Sequence, residues 1–117
     1  IIDEVIKAKP MGLLIEAANP RHAHEWNVFI ERKLPEDKVL IPGVIDSVTN
    51  YIEHPELVAQ RICQFADIVG RERIIAGADC GFATFAGMGA VDAKIAVEKF
   101  KSLIQGAELA SKKLWKN

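Results

Sequence analysis

Three short apolar runs stand out along the chain. They are Gly12–Ile15, Val39–Ile45 and residues 74–78. Each run is almost continuously apolar, a pattern typical of strands that are buried on both faces. We therefore predict three strands at these positions.

Helical periodicity occupies the segments around these strands. Between Pro55 and Gly70, apolar residues recur on one helical face: Val58, Ile62, Phe65 and Val69. A proline suits the first turn of a helix, and a glycine suits its C-terminal cap. A later repeat with spacings of four and three predicts a long closing helix with this buried face: Ala96, Phe100, Leu103, Ala107, Ala110 and Leu114. Two shorter helices are predicted, one before Pro10 and one starting at Pro20 after Asn19.

The predicted order is helix, strand, short helix, strand, helix, strand, helix. Such alternation indicates βα units with right-handed crossovers and a parallel sheet, which is an α/β fold. The sequence contains no linker or charge block, so residues 1–117 form one unit. Three parallel strands leave both sheet edges open, and we expect the chain to associate with a second copy or with further strands.

Composition narrows the class of protein. Half of the 117 residues are hydrophobic and the formal net charge is −1, which excludes intrinsic disorder and disfavours nucleic acid or an anionic membrane as partner. The sequence has neither a signal-peptide pattern nor an apolar run of the roughly 20 residues that span a bilayer. Two cysteines do not make a disulfide framework, and we expect a cytoplasmic protein.

A polar residue follows each predicted strand. These residues are Glu16, Asp46 and the pair Asp79-Cys80. The carboxyl ends of parallel strands lie at one edge of a sheet, where α/β proteins place their sites. A thiolate and a carboxylate are both zinc ligands, although one cysteine alone does not close a tetrahedral site. The alternative is that these residues mark where strands leave the core and that Cys80 is a small buried apolar residue, as Cys63 is expected to be.

A second dense stretch, from Asn19 to Trp26, contains His22, His24 and Glu25. Metal binding is one interpretation, but residues i and i+2 point about 200° apart on a helix. We favour helix capping and a place at the edge of a substrate site.

The order of several motifs carries a family resemblance. They are Glu-Ala-Ala-Asn-Pro-Arg-His-x-His-Glu-Trp at 16–26, Pro-Gly-Val at 42–44, His-Pro-Glu-Leu-Val-Ala at 54–59 and Ala-Asp-Cys-Gly at 78–81. With them the whole chain resembles the C-terminal end of cobalamin-independent methionine synthase, and more closely its shorter, single-barrel relatives. The wider superfamily includes epoxyalkane–coenzyme M transferase and resembles uroporphyrinogen decarboxylase in fold.

The resemblance implies a zinc ion at the carboxyl edge of an eight-stranded barrel, with Cys80 and Glu16 as two of its ligands. The family's other two ligands form a His-x-Cys pair upstream of Glu16, and this sequence begins after that point, so the site here is incomplete. Asp46 matches the aspartate of the Pro-Gly-Val-x-Asp pattern. Val48 stands where the methionine synthase pattern has a histidine implicated in proton delivery, which leaves the use of folate open.

The sequence thus predicts the last three βα units of a TIM-type (β/α)8 barrel, residues 1–117 being a part of one domain of about 250 residues. The resemblance implies a parent enzyme that transfers a methyl or small alkyl group from an alkyl donor to a small-molecule thiol. A 5-methyltetrahydropteroyltriglutamate–homocysteine S-methyltransferase is one such enzyme, with one zinc per parent chain. Alone, this chain is expected to be inactive. The alternatives are a non-catalytic barrel fragment or interaction module and a metal-free, decarboxylase-like relative.

Overall fold

A three-stranded parallel sheet lies at the centre of the structure, which is a computed structural model and describes residues 1–85, 88–89 and 91–116. The strand order is β1-β2-β3. The strands of this sheet are β1 (Gly12–Ile15), β2 (Val39–Ile45) and β3 (Gly77–Ala78). The helices are α1 (Ile2–Ile6), α2 (Val28–Glu31), α3 (Pro55–Val69) and α4 (Ala93–Leu114). The predicted α/β class with parallel strands is confirmed.

The first two strands have the predicted bounds, and the third is shorter than predicted. Strand β1 pairs with β2 in unbroken register, from Gly12 opposite Val39 to Ile15 opposite Pro42. Residues 74–78 were expected to form one strand, but an isolated bridge at Ile74 precedes a two-residue β3. The cause lies in the register between β2 and β3, which shifts and interrupts the ladder.

Capping residues set the bounds of the two long helices. Helix α3 begins at Pro55, where His54 Nδ1 accepts a hydrogen bond from the amide of Glu56 at 3.1 Å. It ends before Gly70, whose φ of +102° lies in a region that favours glycine.

Helix α4 begins after Asp92, whose carboxylate accepts a hydrogen bond from the amide of Lys94 at 2.8 Å. The predicted presence and ends of both helices are confirmed.

The segment after β1 differs from its prediction. Asn19 Oδ1 accepts a hydrogen bond from the amide of Arg21 at 3.0 Å, as an N-cap would. Turns rather than a helix follow over residues 20–24, then a 3₁₀ helix at Glu25–Asn27 and the short α2. A second unpredicted feature is a small antiparallel pair formed by β4 (Ala83–Phe85) and β5 (Met88–Gly89).

The core lies between the sheet and the helices, in two clusters. The first is Leu13, Ala17, Phe29, Leu34, Leu40, Phe65 and Val69. The second is Val44, Ile45, Val58, Ala59, Ile62 and Ala110. The predicted apolar face of α3 supplies residues to both clusters, and the second one joins α3 to α4.

The buried face of α4 is rotated from the predicted one. Its buried residues are Lys99, Ser102, Gly106 and Ala110. Phe100, predicted to be buried, is 44% exposed. The reason is the close approach of α4 to α3: a Cβ atom at Gly106 would overlap the Val58 side chain and lie 2.9 Å from the carbonyl oxygen of Pro55. The smallest residues of α4 therefore face α3.

One face of the sheet has no helix over it in the part of the chain that the structure describes. Leu13 points into the core, whereas the next residue, Leu14, is 61% exposed. A Cβ atom at Gly77 would contact Ile41 and Leu14, so these residues share a face, and Ile75 is also exposed. None of the helices that the structure describes has the length and apolar character to cross a membrane.

Candidate functional site at the carboxyl ends of the strands

The carboxyl ends of the three strands meet at one edge of the sheet, as the sequence predicts. We call this edge the rim and define it as residues 16–19, 46–54 and 79–81. At its centre lies Asp79, which is 3% exposed. Its Oδ1 accepts hydrogen bonds from the amides of Ala17 and Ala18 at 2.8 and 2.9 Å. Its Oδ2 accepts from the amide of Asn19 at 2.7 Å. One carboxylate thereby attaches the segment after β1 to the end of β3.

Gly43 makes this attachment possible. A Cβ atom at this position would lie 2.6 Å from Asp79 Cα and 2.7 Å from Asp79 N, closer than real Cβ atoms approach their neighbours. It would also overlap the Asp79 carboxylate. Because β2 lies between β1 and β3, Asp79 reaches the β1 side of the sheet across a residue without a side chain.

A second group of buried polar residues follows β2. Asp46 is 1% exposed, and its carboxylate accepts hydrogen bonds from the amide of Val48 and the hydroxyl of Thr49 at 3.1 and 3.2 Å. The amide of Asp46 donates to Glu53 Oε2 at 2.6 Å. Glu53 Oε1 accepts from Lys99 Nζ at 2.9 Å, and both of these side chains are fully buried. The Asp46 carboxylate therefore stabilises the turn that follows β2, and Glu53 links the end of β2 to Lys99 of α4.

The proposed thiol ligand lies beside this group. Cys80 is exposed, which rules out the alternative that it is a buried apolar residue. Its Sγ is 2.8 Å from Ser47 Oγ, close enough for a hydrogen bond in either direction. Cys63 lies on α3 and packs against the second core cluster, as predicted.

The proposed carboxylate ligand, Glu16, is also exposed and directly precedes the segment that Asp79 holds. Its Oε2 lies 3.7 Å from His22 Nε2, and the other ring nitrogen of His22 lies 3.0 Å from Glu25 Oε1. The hydrogen bond with Glu25, aided by the negative charges of Glu25, Glu16 and Asp79, raises the pKa of His22. His22 thus lies beside Glu16 at the edge of the rim, and its place at the edge of a substrate site stays a prediction.

The donor set fits zinc in kind but is not complete. A thiol and a carboxylate are ordinary zinc ligands, and both are accessible at the rim. Across residues 1–85, 88–89 and 91–116, however, no three His, Cys, Asp or Glu side chains come together in a group able to hold a metal ion. Ligation by Cys80 and Glu16 stays a prediction, and in this chain they are at most part of a tetrahedral set.

The sequence reasoning missed the buried polar contacts. It placed Asp79 at the edge of the sheet without finding that its carboxylate is a backbone acceptor. It also missed Glu53 and Lys99 altogether. The sequence does contain a signal for the buried face of α4. Four of its residues recur at helical spacing and three of them are small: Lys99, Ser102, Gly106 and Ala110.

Comparison with solved structures supports the fold. The chain is similar to a B12-independent methionine synthase from Shewanella sp. W3-18-1, solved in complex with selenomethionine, with a TM-score of 0.79. The likeness is one of fold. Sequence identity is 22%, and the match covers 97% of this chain and 30% of the synthase chain. The chain therefore spans about a third of that protein's length. No family model and no curated protein match the sequence.

Proposed function

We propose that this chain is the C-terminal part of a zinc-dependent barrel enzyme of the methionine synthase kind, which transfers a methyl or small alkyl group to a thiol. The observation that carries the proposal is the set of three backbone hydrogen bonds that the Asp79 carboxylate accepts. It holds the backbone directly after Glu16 against the residue directly before Cys80. Glu16 and Cys80, two exposed residues of types that bind zinc, therefore lie in segments that Asp79 holds together. The fold of the chain around them is similar to that of a methionine synthase.

In this proposal Cys80 and Glu16 would hold the metal together with donors from outside this chain. Bound zinc lowers the pKa of a substrate thiol and keeps its sulfur in place without redox chemistry. Asp79 and Gly43 keep the two ligand segments together. His22 lies within reach of Glu16 and, when protonated, offers a positive charge that orients the carboxylate.

The alkyl donor is a separate question, and Val48 bears on it. Val48 is 54% exposed at the rim, where the methionine synthase pattern has a histidine. Valine supplies no proton to a leaving group. The proposal therefore extends to thiol alkyl transfer in general and is not restricted to a folate donor.

Zinc content tests the proposal. We expect a longer protein that joins this sequence to preceding βα units to bind one zinc per chain. Cys80→Ser and Glu16→Gln should each weaken zinc binding, the cysteine change by more than about 100-fold, because ligands matter at least as much as the residues that orient them. Cys63→Ser is the matched control and should leave zinc binding unchanged.

Zinc retained undiminished in Cys80→Ser would contradict the ligand assignment. The second candidate is a non-catalytic module or a metal-free relative, in which Cys80 and Glu16 hold no metal ion. That candidate predicts a longer protein without zinc and, for a decarboxylase-like relative, an activity that needs no thiol.

A further inference from the structure

The buried ion pair between Glu53 and Lys99 joins α4 to the rim. Lys99 Nζ donates to Glu53 Oε1 at 2.9 Å and lies 4.7 Å from the ring centroid of Tyr51. Both charged side chains have no exposed surface. The Glu53 carbonyl oxygen also accepts a hydrogen bond from the Ser102 hydroxyl. Helix α4 therefore holds Glu53 at both its side chain and its backbone.

Stability alone is a weak explanation for this pair. Removing two charges from water costs free energy that their attraction only partly returns, and apolar residues of similar size often serve as well. A fully buried lysine is also rare. We therefore consider what the ion pair positions, which is the loop between β2 and α3.

The contacts of Glu53 lead directly to Cys80. Glu53 Oε2 accepts from the amide of Asp46 at 2.6 Å, which fixes the backbone where β2 ends. The next residue is Ser47, 2% exposed, and its hydroxyl lies 2.8 Å from Cys80 Sγ. The orientation of Ser47 thus depends on a carboxylate that Lys99 holds in place.

We propose that Lys99 is a positioning residue for the Cys80 thiol, acting through Glu53 and the backbone of Asp46 to hold Ser47 against the sulfur. The inference rests on the proposed function only for the importance of Cys80. The contacts and their test involve neither zinc nor alkyl transfer, so each proposal can fail without the other.

Alkylation of the two free cysteines by iodoacetamide in the native chain tests the inference. The Ser47 hydroxyl is in contact with the Cys80 sulfur and occupies one side of it, so Ser47→Ala should speed Cys80 labelling about fivefold, the worth of one ordinary hydrogen bond. Lys99→Met should give the same acceleration. The variant that combines Ser47→Ala with Lys99→Met should be labelled no faster than either single variant. Cys63 is the internal reference, because global opening would expose it too. Burial raises the pKa of the Cys63 thiol and keeps its labelling slow.

Two further variants keep the test decisive. Lys99→Met leaves Glu53 as an unpaired buried charge, so the paired change Lys99→Met with Glu53→Met is made as well. It removes both charges, should fold, and should show the same fast labelling of Cys80. Lys101→Met changes an exposed lysine on the same helix and should alter neither cysteine. Native labelling of Cys80 in the paired variant, or equal acceleration of Cys63 and Cys80, would overturn the proposal.

Discussion

Exposure separates two kinds of polar residue at the rim. Asp46 and Asp79 are buried and accept hydrogen bonds from nearby backbone or hydroxyl groups, whereas Glu16 and Cys80 are open to solvent. All four were found in the sequence by their position after a strand. Which of the four are buried could not be found there: the burial of Asp79 depends on Gly43, which allows its carboxylate to cross the central strand.

Gly43→Ala tests this crossing. A Cβ atom 2.6 Å from Asp79 Cα meets backbone, which cannot move aside as a side chain can. We expect the free energy of unfolding to fall by at least about 3 kcal/mol, measured by urea denaturation. Gly81→Ala is the matched control, because the nearest atom to its Cβ would be 3.9 Å away. The control should change stability by less than about 1 kcal/mol. Similar stability of the two variants would contradict the steric argument.

The raised pKa of His22 gives the rim a pH dependence. A histidine whose pKa is higher in the folded state adds stability below its ordinary pKa of about 6.5. That contribution is lost as the pH rises past the raised value. Glu25→Gln replaces the charged acceptor of this hydrogen bond with a neutral one and so weakens the largest cause of the shift. NMR titration of the imidazole protons should show the His22 pKa falling toward its ordinary value.

The same variant has a thermodynamic consequence. Its loss of stability relative to the native chain should be larger at about pH 5.5 than at about pH 8.5. Glu36→Gln, at an exposed glutamate outside the rim, should leave the His22 titration unchanged. An unchanged His22 pKa in Glu25→Gln would show that the charged carboxylate of Glu25 is not its cause.

Among the elements, those with local signals were predicted well. The bounds of β1, β2 and α3 follow from apolar runs and capping residues, which act within a few positions of the chain. The buried face of α4 was predicted less well, because it depends on the approach to α3. The apolar repeat was followed through Phe100, while the helix turns its small residues inward. The turns over residues 20–24 were also missed because of contacts that are distant in sequence. The backbone amides of the preceding segment, residues 17–19, donate to Asp79.

Gly106→Ala measures how closely α3 and α4 approach. Alanine gains about 1 kcal/mol over glycine in helix propensity, but the added methyl group would overlap Val58. Overpacking costs about 1–3 kcal/mol, and contact with the Pro55 carbonyl oxygen puts this case at the upper end. We expect a net loss of about 1–2 kcal/mol in the free energy of unfolding.

Val58→Gly provides the control for this prediction. It removes both Val58 atoms that the methyl group added at position 106 would overlap, so Gly106→Ala should cost less in the Val58→Gly background than in the native chain. Urea denaturation of the four proteins gives this coupling. If the two costs simply add, the helices do not meet at Gly106 as described.

The whole molecule, over the residues that the structure describes, is a sheet with helices on one face only. Leu14 and Ile75 lie 61% and 54% exposed on the other face, and β1 and β3 are both edge strands of this sheet. The synthase with the similar fold is about three times as long as the matched region. We propose that the open face is covered either by a second copy of this chain or by the further strands of a barrel. The proposal rests on the two edge strands and the exposed face, which do not identify the partner.

Association in solution tests this proposal. We expect the native chain at micromolar concentration to sediment as a species larger than a monomer. Leu14→Lys with Ile75→Lys should shift it to the monomer, because two charges on the open face oppose the burial of that face. Ile30→Lys alters a residue that is equally exposed but lies on α2, and it should not affect the mass. A compact native monomer would count against self-association.

The contacts of Asp79 also bear on the order of folding. Its three acceptor bonds join residues 60 to 62 positions apart, and the segment after Glu16 depends on them for its backbone partners. Such distant contacts form after local ones, since a long loop must close first. The pairing of β1 with β2 can therefore precede any order in residues 17–19. During synthesis, the surroundings of Glu16 are not complete until the third strand has emerged, so the rim would be among the last parts of the chain to take shape.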